Sequence, residues 1–159
     1  MPPPPGKDTM KTGPLRLRQL FIDRILIEAG DENAPMELEP EVRIEPGPLR
    51  RSKEEPQYWR VELSLKLGPD LDPSAPYLVE MSLSGTFELE QRDLDDDSAA
   101  RLVAINGLSI LYTAAREHIW CQTSRGRWGA LGLPTVNFLG MAVDATSRNS
   151  SPVLSQGVD

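Results

Sequence analysis

Two stretches of the chain alternate apolar and polar residues with a period of two. From Trp59 to Leu67 the odd positions are Trp59, Val61, Leu63, Leu65 and Leu67, and the even ones are Arg60, Glu62, Ser64 and Lys66. From Tyr77 to Leu89 the odd positions are Tyr77, Val79, Met81, Leu83, Gly85, Phe87 and Leu89, and most even ones are polar. Successive side chains of a strand point to opposite faces, so both stretches predict strands of a sheet with one buried face. Gly68-Pro69, Pro73 and Pro76 lie between them, and the strands are expected to be antiparallel neighbours. Leu15–Ala29 reads differently. Its odd positions carry Leu15, Leu17, Phe21, Ile25 and Ile27, but its even positions also hold Leu20, Ile22 and Leu26. A strand apolar on both faces needs cover on both, which points to a second subunit. The alternative cover is the chain's own helices and its Pro-rich crossover (Pro35, Pro40, Pro46, Pro48). Val42–Ile44 is expected to form a fourth, shorter strand.

From residue 97 to 125 proline is lost and the period changes. Leu102, Ile105, Leu108, Leu111, Tyr112, Ala115 and Ile119 fall three or four apart, as on one stripe of a helix. Asp97 or Ser98 is the expected cap, with Asp93, Asp95 and Asp96 adding favourable charge at that end. Gly107 is expected to break or bend the helix, and Arg125-Gly126 to stop it with a glycine free to take positive φ. The pattern as a whole predicts an α+β fold. Residues 1–14 read as a Pro-rich disordered arm, 15–143 as the folded domain, and 144–159 as a flexible polar tail.

Charge and cysteine usage narrow the function. Over 159 residues, 17 basic and 24 acidic side chains leave a net charge of −7. Phosphate binding needs clustered cations, and Arg50-Arg51-Ser52-Lys53 is followed at once by Glu54-Glu55, so no nucleic-acid partner is expected. A single cysteine, Cys121, excludes an internal disulfide and multi-Cys zinc sites. No window reaches the ~18 apolar residues of a membrane span. Met1–Lys7 lacks the apolar core of a signal peptide. A cytoplasmic protein without membrane insertion is therefore expected.

Candidate chemistry is sparse. Asp93, Asp95 and Asp97 begin like a calcium loop, but Ser98 stands where that loop needs Gly and Ala104 where it needs Glu. His118 and Cys121 are three residues apart on the helix, yet no spacing supplies an orienting group or an oxyanion site. With no phosphate loop, nucleophile elbow or metal-ligand spacing, the chain reads as a non-enzyme without cofactor or metal. Trp59 reads as core. Trp120 sits on the helix. Trp128, in the loop that follows, is equally compatible with packing and with an apolar groove.

Read in order, these segments resemble the SecB protein-export chaperones. The clearest stretch is Leu111-Tyr112-Thr113-Ala114-Ala115-Arg116-Glu117, then Ser124-Arg125-Gly126, then Leu133-Pro134-Thr135-Val136-Asn137-Phe138. Upstream, Ile25-Leu26-Ile27-Glu28-Ala29 and Asn33-Ala34-Pro35 fall in the family's order. The resemblance implies a four-stranded antiparallel sheet with helices packed on one side, assembled as a homotetramer (a dimer of dimers). It implies an ATP-independent holdase that binds unfolded or precursor polypeptides in apolar grooves and delivers them to the motor SecA. Groove candidates are then Met36, Leu38, Val42, Trp128, Phe138, Leu139 and Met141. Candidate SecA contacts are Glu28, Leu78 and Glu80. Candidate oligomer contacts are Leu20, Ile22, Leu108, Leu111, Tyr112, Ala115 and Ile119. Arg24 stands where the family usually has Asp, and the family's tail is not recognisable. These departures motivate the alternative of a SecB-fold chaperone dedicated to one partner, such as an antitoxin or an assembly factor.

Overall fold

Strand follows strand until residue 89, and a long helix then crosses back over them. The computed structural model describes residues 13–30, 40–73 and 75–140. Met36, Leu38, Met141, the Asn33-Ala34-Pro35 motif, the polar tail and all of the Pro-rich arm except Gly13 and Pro14 lie outside those residues. The elements are β1 (Leu15–Ala29), β2 (Arg43–Pro46), β3 (Arg50–Arg51), β4 (Tyr58–Leu67), β5 (Tyr77–Leu89) and α1 (Asp96–Thr123). The sheet runs β1-β5-β4-β2, antiparallel throughout, and the two-residue β3 pairs with β4 as well. It therefore has five strands instead of four, and one helix packs against it among the described residues.

β4 and β5 pair from Tyr58↔Glu88 to Leu67↔Val79, so their apolar sets stand on one face. All of these side chains, Trp59 through Leu67 and Tyr77 through Leu89 at odd positions, are buried. Their cover is α1, through Ala99, Val103, Ala104, Gly107, Leu108, Leu111, Tyr112, Ala115, Ile119 and Thr123. Two glycines permit the close approach. A Cβ on Gly107 would lie 2.8 Å from Val61 Cγ2, and one on Gly85 would lie 3.1 Å from Leu111 Cδ2. Gly107 thus does not break the helix. It is buried at the crossing, where the absent side chain is what lets α1 settle onto β4.

Both ends of α1 differ from expectation. The cap is Asp95, whose carboxylate accepts from Ser98 N at 2.7 Å, and the helix starts at Asp96. That bond to Ser98 holds the Asp95 carboxyl below the usual carboxylate range. An upstream aspartate wins because the N-cap side chain must reach a free amide two or three residues ahead. At the other end Ser124 is the cap, no basic residue lies in the last turn, and positive φ belongs to Gly129 (78°) instead of Gly126. α1 is long and apolar enough to cross a membrane by length and composition, contrary to the sequence expectation. Its apolarity has another use here, since one side of it forms the core.

The register of β1 against β5 shifts twice. Arg18 and Asp23 are extra residues opposite β5, at shifts between Leu17 and Gln19 and between Ile22 and Arg24. Each bulge inserts one residue and flips the phase of alternation. Leu15, Leu17, Leu20, Ile22, Ile25 and Ile27 consequently stand opposite Leu89, Phe87, Gly85, Leu83, Met81 and Val79, all toward the helix side. The strand is therefore apolar mainly on one face. Those six leucines and isoleucines, odd and even, share one face, and Phe21 and Leu26 remain on the other, opposite Ser84 and Glu80.

Candidate functional site

The helix side of β1 is apolar but incompletely covered. Leu17 is 37% exposed and Ile22 and Ile25 are each 39% exposed, while the β5 residues opposite them are 0–2% exposed. β1 is also the end strand of the sheet, so one of its edges has no strand partner among the described residues. Unpaired backbone donors and acceptors along such an edge are a template for a further strand. The strip and the edge together form the best candidate site. Sequence reasoning named Leu20 and Ile22 here but missed Leu17 and Ile25. The signal was present as apolar residues whose spacing slips by one at Arg18 and again at Asp23.

The outer side of α1 continues this character. Leu102 and Ile110 are half-buried against the edge of the core, Ile105 is half-buried, and Trp120 is exposed. By contrast Leu108, Leu111, Tyr112, Ala115 and Ile119, the expected oligomer contacts on the helix, are 0–3% exposed inside the subunit. They are core residues. The stripe that reads most regularly in sequence is the one that packs on the sheet.

After α1 the chain folds back across the helix side and is pinned by hydroxyl groups. Tyr77 Oη donates to Gly129 O at 2.8 Å and accepts from Trp128 N at 3.1 Å. Thr123 Oγ1 donates to Ile119 O and accepts from Leu131 N. Tyr112 Oη donates to Pro134 O at 2.5 Å, and burial pushes this phenol above its ordinary range. Phe138 packs edge-on against Tyr112 at 5.6 Å and is buried, so it belongs to the core and not to a groove wall. Of the other groove candidates, Val42 and Trp128 are half-buried against the core, Trp128 donating to Gly30 O, and Leu139 is exposed. The described residues do not bring these side chains together as one wall.

The opposite, open face of the sheet is a lattice of ion pairs. Arg18 pairs with Glu88, Arg24 with Glu80 at 2.9 Å, Arg60 with Glu62 at 2.9 Å, and Lys66 with Asp70 at 2.9 Å. The Lys66 ammonium holds the Asp70 carboxyl below its ordinary range. Glu28 stands opposite Leu78, with the Leu26–Glu80 pair two positions along, so the register brings the three motor-contact candidates to one end of this face. Glu80 is not a free acid there. Its carboxylate lies between Arg24 and Lys66, which is 3.8 Å away.

His118 is half-buried and Cys121 is exposed, and no hydrogen bond joins their side chains. Among the described residues no group of three or more His, Cys, Asp or Glu is placed to hold a metal ion.

With the apolar strip, the covering helix and the sheet order described, comparison with known proteins decides the family. The family model for SecB, the preprotein translocase subunit SecB, matches residues 10–149. The chain belongs to the SecB family. A search of curated proteins finds no match. Among solved structures, a SecB-like chaperone of Mycobacterium tuberculosis, in complex with a ChAD peptide from an antitoxin, superposes with a TM-score of 0.56. The two share 16% identity over 77% of this chain and 88% of that one, a likeness of fold. A Streptococcus agalactiae protein of unknown function gives a TM-score of 0.48 at 11% identity, covering 76% of this chain and 97% of that one. As a SecB-family protein the chain is of a chaperone type, and its described core is the α+β arrangement of that type.

Proposed function

We propose that this SecB-family chain is an ATP-independent holdase that captures unfolded or precursor polypeptides on apolar surface. The observation that carries the reading is the β1 strip: four residues, Leu17, Leu20, Ile22 and Ile25, face the helix side and are left half-covered or exposed. Apolar contact of this kind selects for hydrophobic, extended segments without a strict sequence code, which suits a holdase. The protein is read as a cytoplasmic homo-oligomer, a tetramer built as a dimer of dimers. With the inner stripe of α1 consumed by the core, its subunit contacts are assigned to β1 and to the outer side of α1 around Ile105.

A second reading, one dedicated partner, is favoured by the state of Glu80. A motor that recognises free acids on the open face would meet a carboxylate already held by Arg24 and Lys66. The Mycobacterium tuberculosis structure contains an antitoxin peptide, and an antitoxin is the partner class this reading names. Light-scattering mass, with and without slow-folding unfolded clients and without nucleotide, separates the two. A tetramer that takes up several unrelated clients supports the holdase. A chain that ignores all of them and retains one partner supports the second reading. Added SecA that binds the loaded complex would extend the first reading to export, and absence of binding would remove that extension.

A further inference from the structure

The open face carries two cross-strand pairs of like charge at the β2–β3 edge. Arg43 stands directly opposite Lys66, and Arg50 directly opposite Arg60. Like charges in that position repel and weaken a sheet unless something compensates them. The inner members are compensated within the subunit, Lys66 by Asp70 and Glu80 and Arg60 by Glu62. The outer members, Arg43 and Arg50, have no carboxylate within 4.0 Å among the described residues, although Arg43 is near enough to Asp70 to add to the lowering of its carboxyl. Neighbouring Arg51 shows what a structural arginine looks like here. It donates to Pro56 O, pairs with Asp96 at 2.8 Å at the start of α1, and lies 4.8 Å from the Trp59 ring.

Each like-charge pair also borders a cavity. Arg43 and Lys66 line one of about 270 Å³, together with Arg24, Glu45, Glu80 and the Ser64 and Ser82 hydroxyls, which are 3.1 Å apart. Arg50 and Arg60 line another of about 210 Å³ with Ser52 and Tyr58. Lys66 and Arg60 are six residues apart on β4, which at strand rise separates the two cationic points by about 20 Å. Between them lie Glu62 and, opposite Ser64, Glu45. The edge therefore reads positive, negative, negative, positive.

We propose that this edge of the open face binds an extended acidic peptide segment whose carboxylates lie six residues apart, one at Arg50 and one at Arg43. The spacing follows from the ligand being extended, with a rise per residue close to that of β4 and every second side chain turned toward the sheet. The two central glutamates favour a peptide over a nucleic acid. A polyanion with a phosphate at every step would meet Glu62 and Glu45, whereas a peptide can leave those positions neutral or basic. The site is on the opposite side of the sheet from the apolar strip, and it does not rest on the holdase reading.

Fluorescence anisotropy with labelled seven-residue peptides on the intact protein tests the proposal. One peptide carries Asp at positions one and seven in an uncharged background. A second carries Asp at one and four, and a third carries Lys at one and seven. The first is expected to bind about tenfold more tightly than either control at low ionic strength, the sum of two exposed ion pairs, and to lose that preference in about 1 M salt. Arg43→Gln with Arg50→Gln, both exposed positions, is expected to abolish the preference while leaving unfolded-client capture unchanged. Equal binding of the three peptides overturns the proposal, as does a preference that survives the double substitution. Binding of a single-stranded oligonucleotide in place of the acidic peptide also overturns it. The peptide comparison on the unmodified chain decides even if the double variant folds poorly.

Discussion

β1 and β5 run side by side over their whole paired length and direct apolar side chains to the same face, yet they serve different ends. Val79, Met81, Leu83 and Phe87 on β5 are closed off from solvent, while Ile25, Ile22 and Leu17 opposite three of them keep more than a third of their surface exposed. The cause is geometric. One helix is about 10 Å across and strands lie about 4.8 Å apart, so α1 covers roughly two strands. Those two are β4 and β5, fixed by the glycine contacts of Gly107 with Val61 and Gly85 with Leu111. The apolar content of a strand thus does not decide whether it is core. What lies over it does.

The sharpest way to break this comparison is to charge the covered side. Leu111→Asp places an unpaired carboxylate at a position with 0% exposure. Loss of about 5 kcal/mol or more is expected, enough to leave the chain unfolded by circular dichroism at 25 °C. A folded Leu111→Asp subunit with altered mass by light scattering would instead return this residue to a subunit interface. Next in size is Gly107→Ala. In an exposed helix this change gains about 1 kcal/mol, but here the new methyl meets Val61, and a loss of about 2 kcal/mol is expected in urea unfolding. Adding Val61→Ala should recover part of that loss, since neighbouring sites couple. An additive pair would mean the helix does not sit where described.

Much of this contrast was legible in sequence. β4 and β5 were fixed by uninterrupted alternation, and their antiparallel pairing by the Gly-Pro connection. β1 was legible in extent but not in phase, because Arg18 and Asp23 are ordinary polar residues and nothing in their identity marks a bulge. The same blindness applies to the candidate oligomer contacts on α1, which are buried inside the subunit. Periodicity finds the stripe that needs burial, and cannot say whether a sheet in the same chain or a neighbour buries it. Gly107 misled for a related reason: a helical glycine signals weakness unless a partner lies within contact, and Val61 is 46 residues away in sequence. The open-face arginines were hidden because their meaning depends on which residues stand across from them.

A smaller effect is expected from removing the helix cap. Asp95→Ala takes away the acceptor for Ser98 N, and the urea midpoint should fall at neutral pH. The Asp95 carboxyl titrates below its unfolded value. Its contribution is therefore present above the unfolded value, near pH 3.9, and is lost as pH falls through the lower folded value. The difference between variant and parent should accordingly be constant from pH 5 to 7 and shrink in acid. A difference that persists unchanged at pH 2 would show that the carboxylate charge is not what caps α1.

The uncovered side offers the smallest effect on folding and the most informative one. Ile22→Thr and Ile25→Thr keep the β-branched shape that suits a strand but place a hydroxyl in the half-exposed strip. Because these side chains already retain much of their exposure, each should cost about 1 kcal/mol or less in urea unfolding. If the strip receives extended apolar polypeptide, each change removes part of its contact area, and client affinity should fall about fivefold per substitution. If the strip instead joins two copies of the chain, the same variants shift the light-scattering mass downward on dilution with clients absent. Unchanged mass and unchanged client affinity would mean that Leu17, Ile22 and Ile25 are simply the rim of the core. The comparison with β5 would then describe incomplete cover and not a site. The Phe21→Ser variant supplies the internal reference, since Phe21 is 50% exposed but faces the ion-pair side of the same strand. Loss of clients with Ile22→Thr but not with Phe21→Ser would place the contact on the helix side of β1, where the two bulges have gathered its apolar residues.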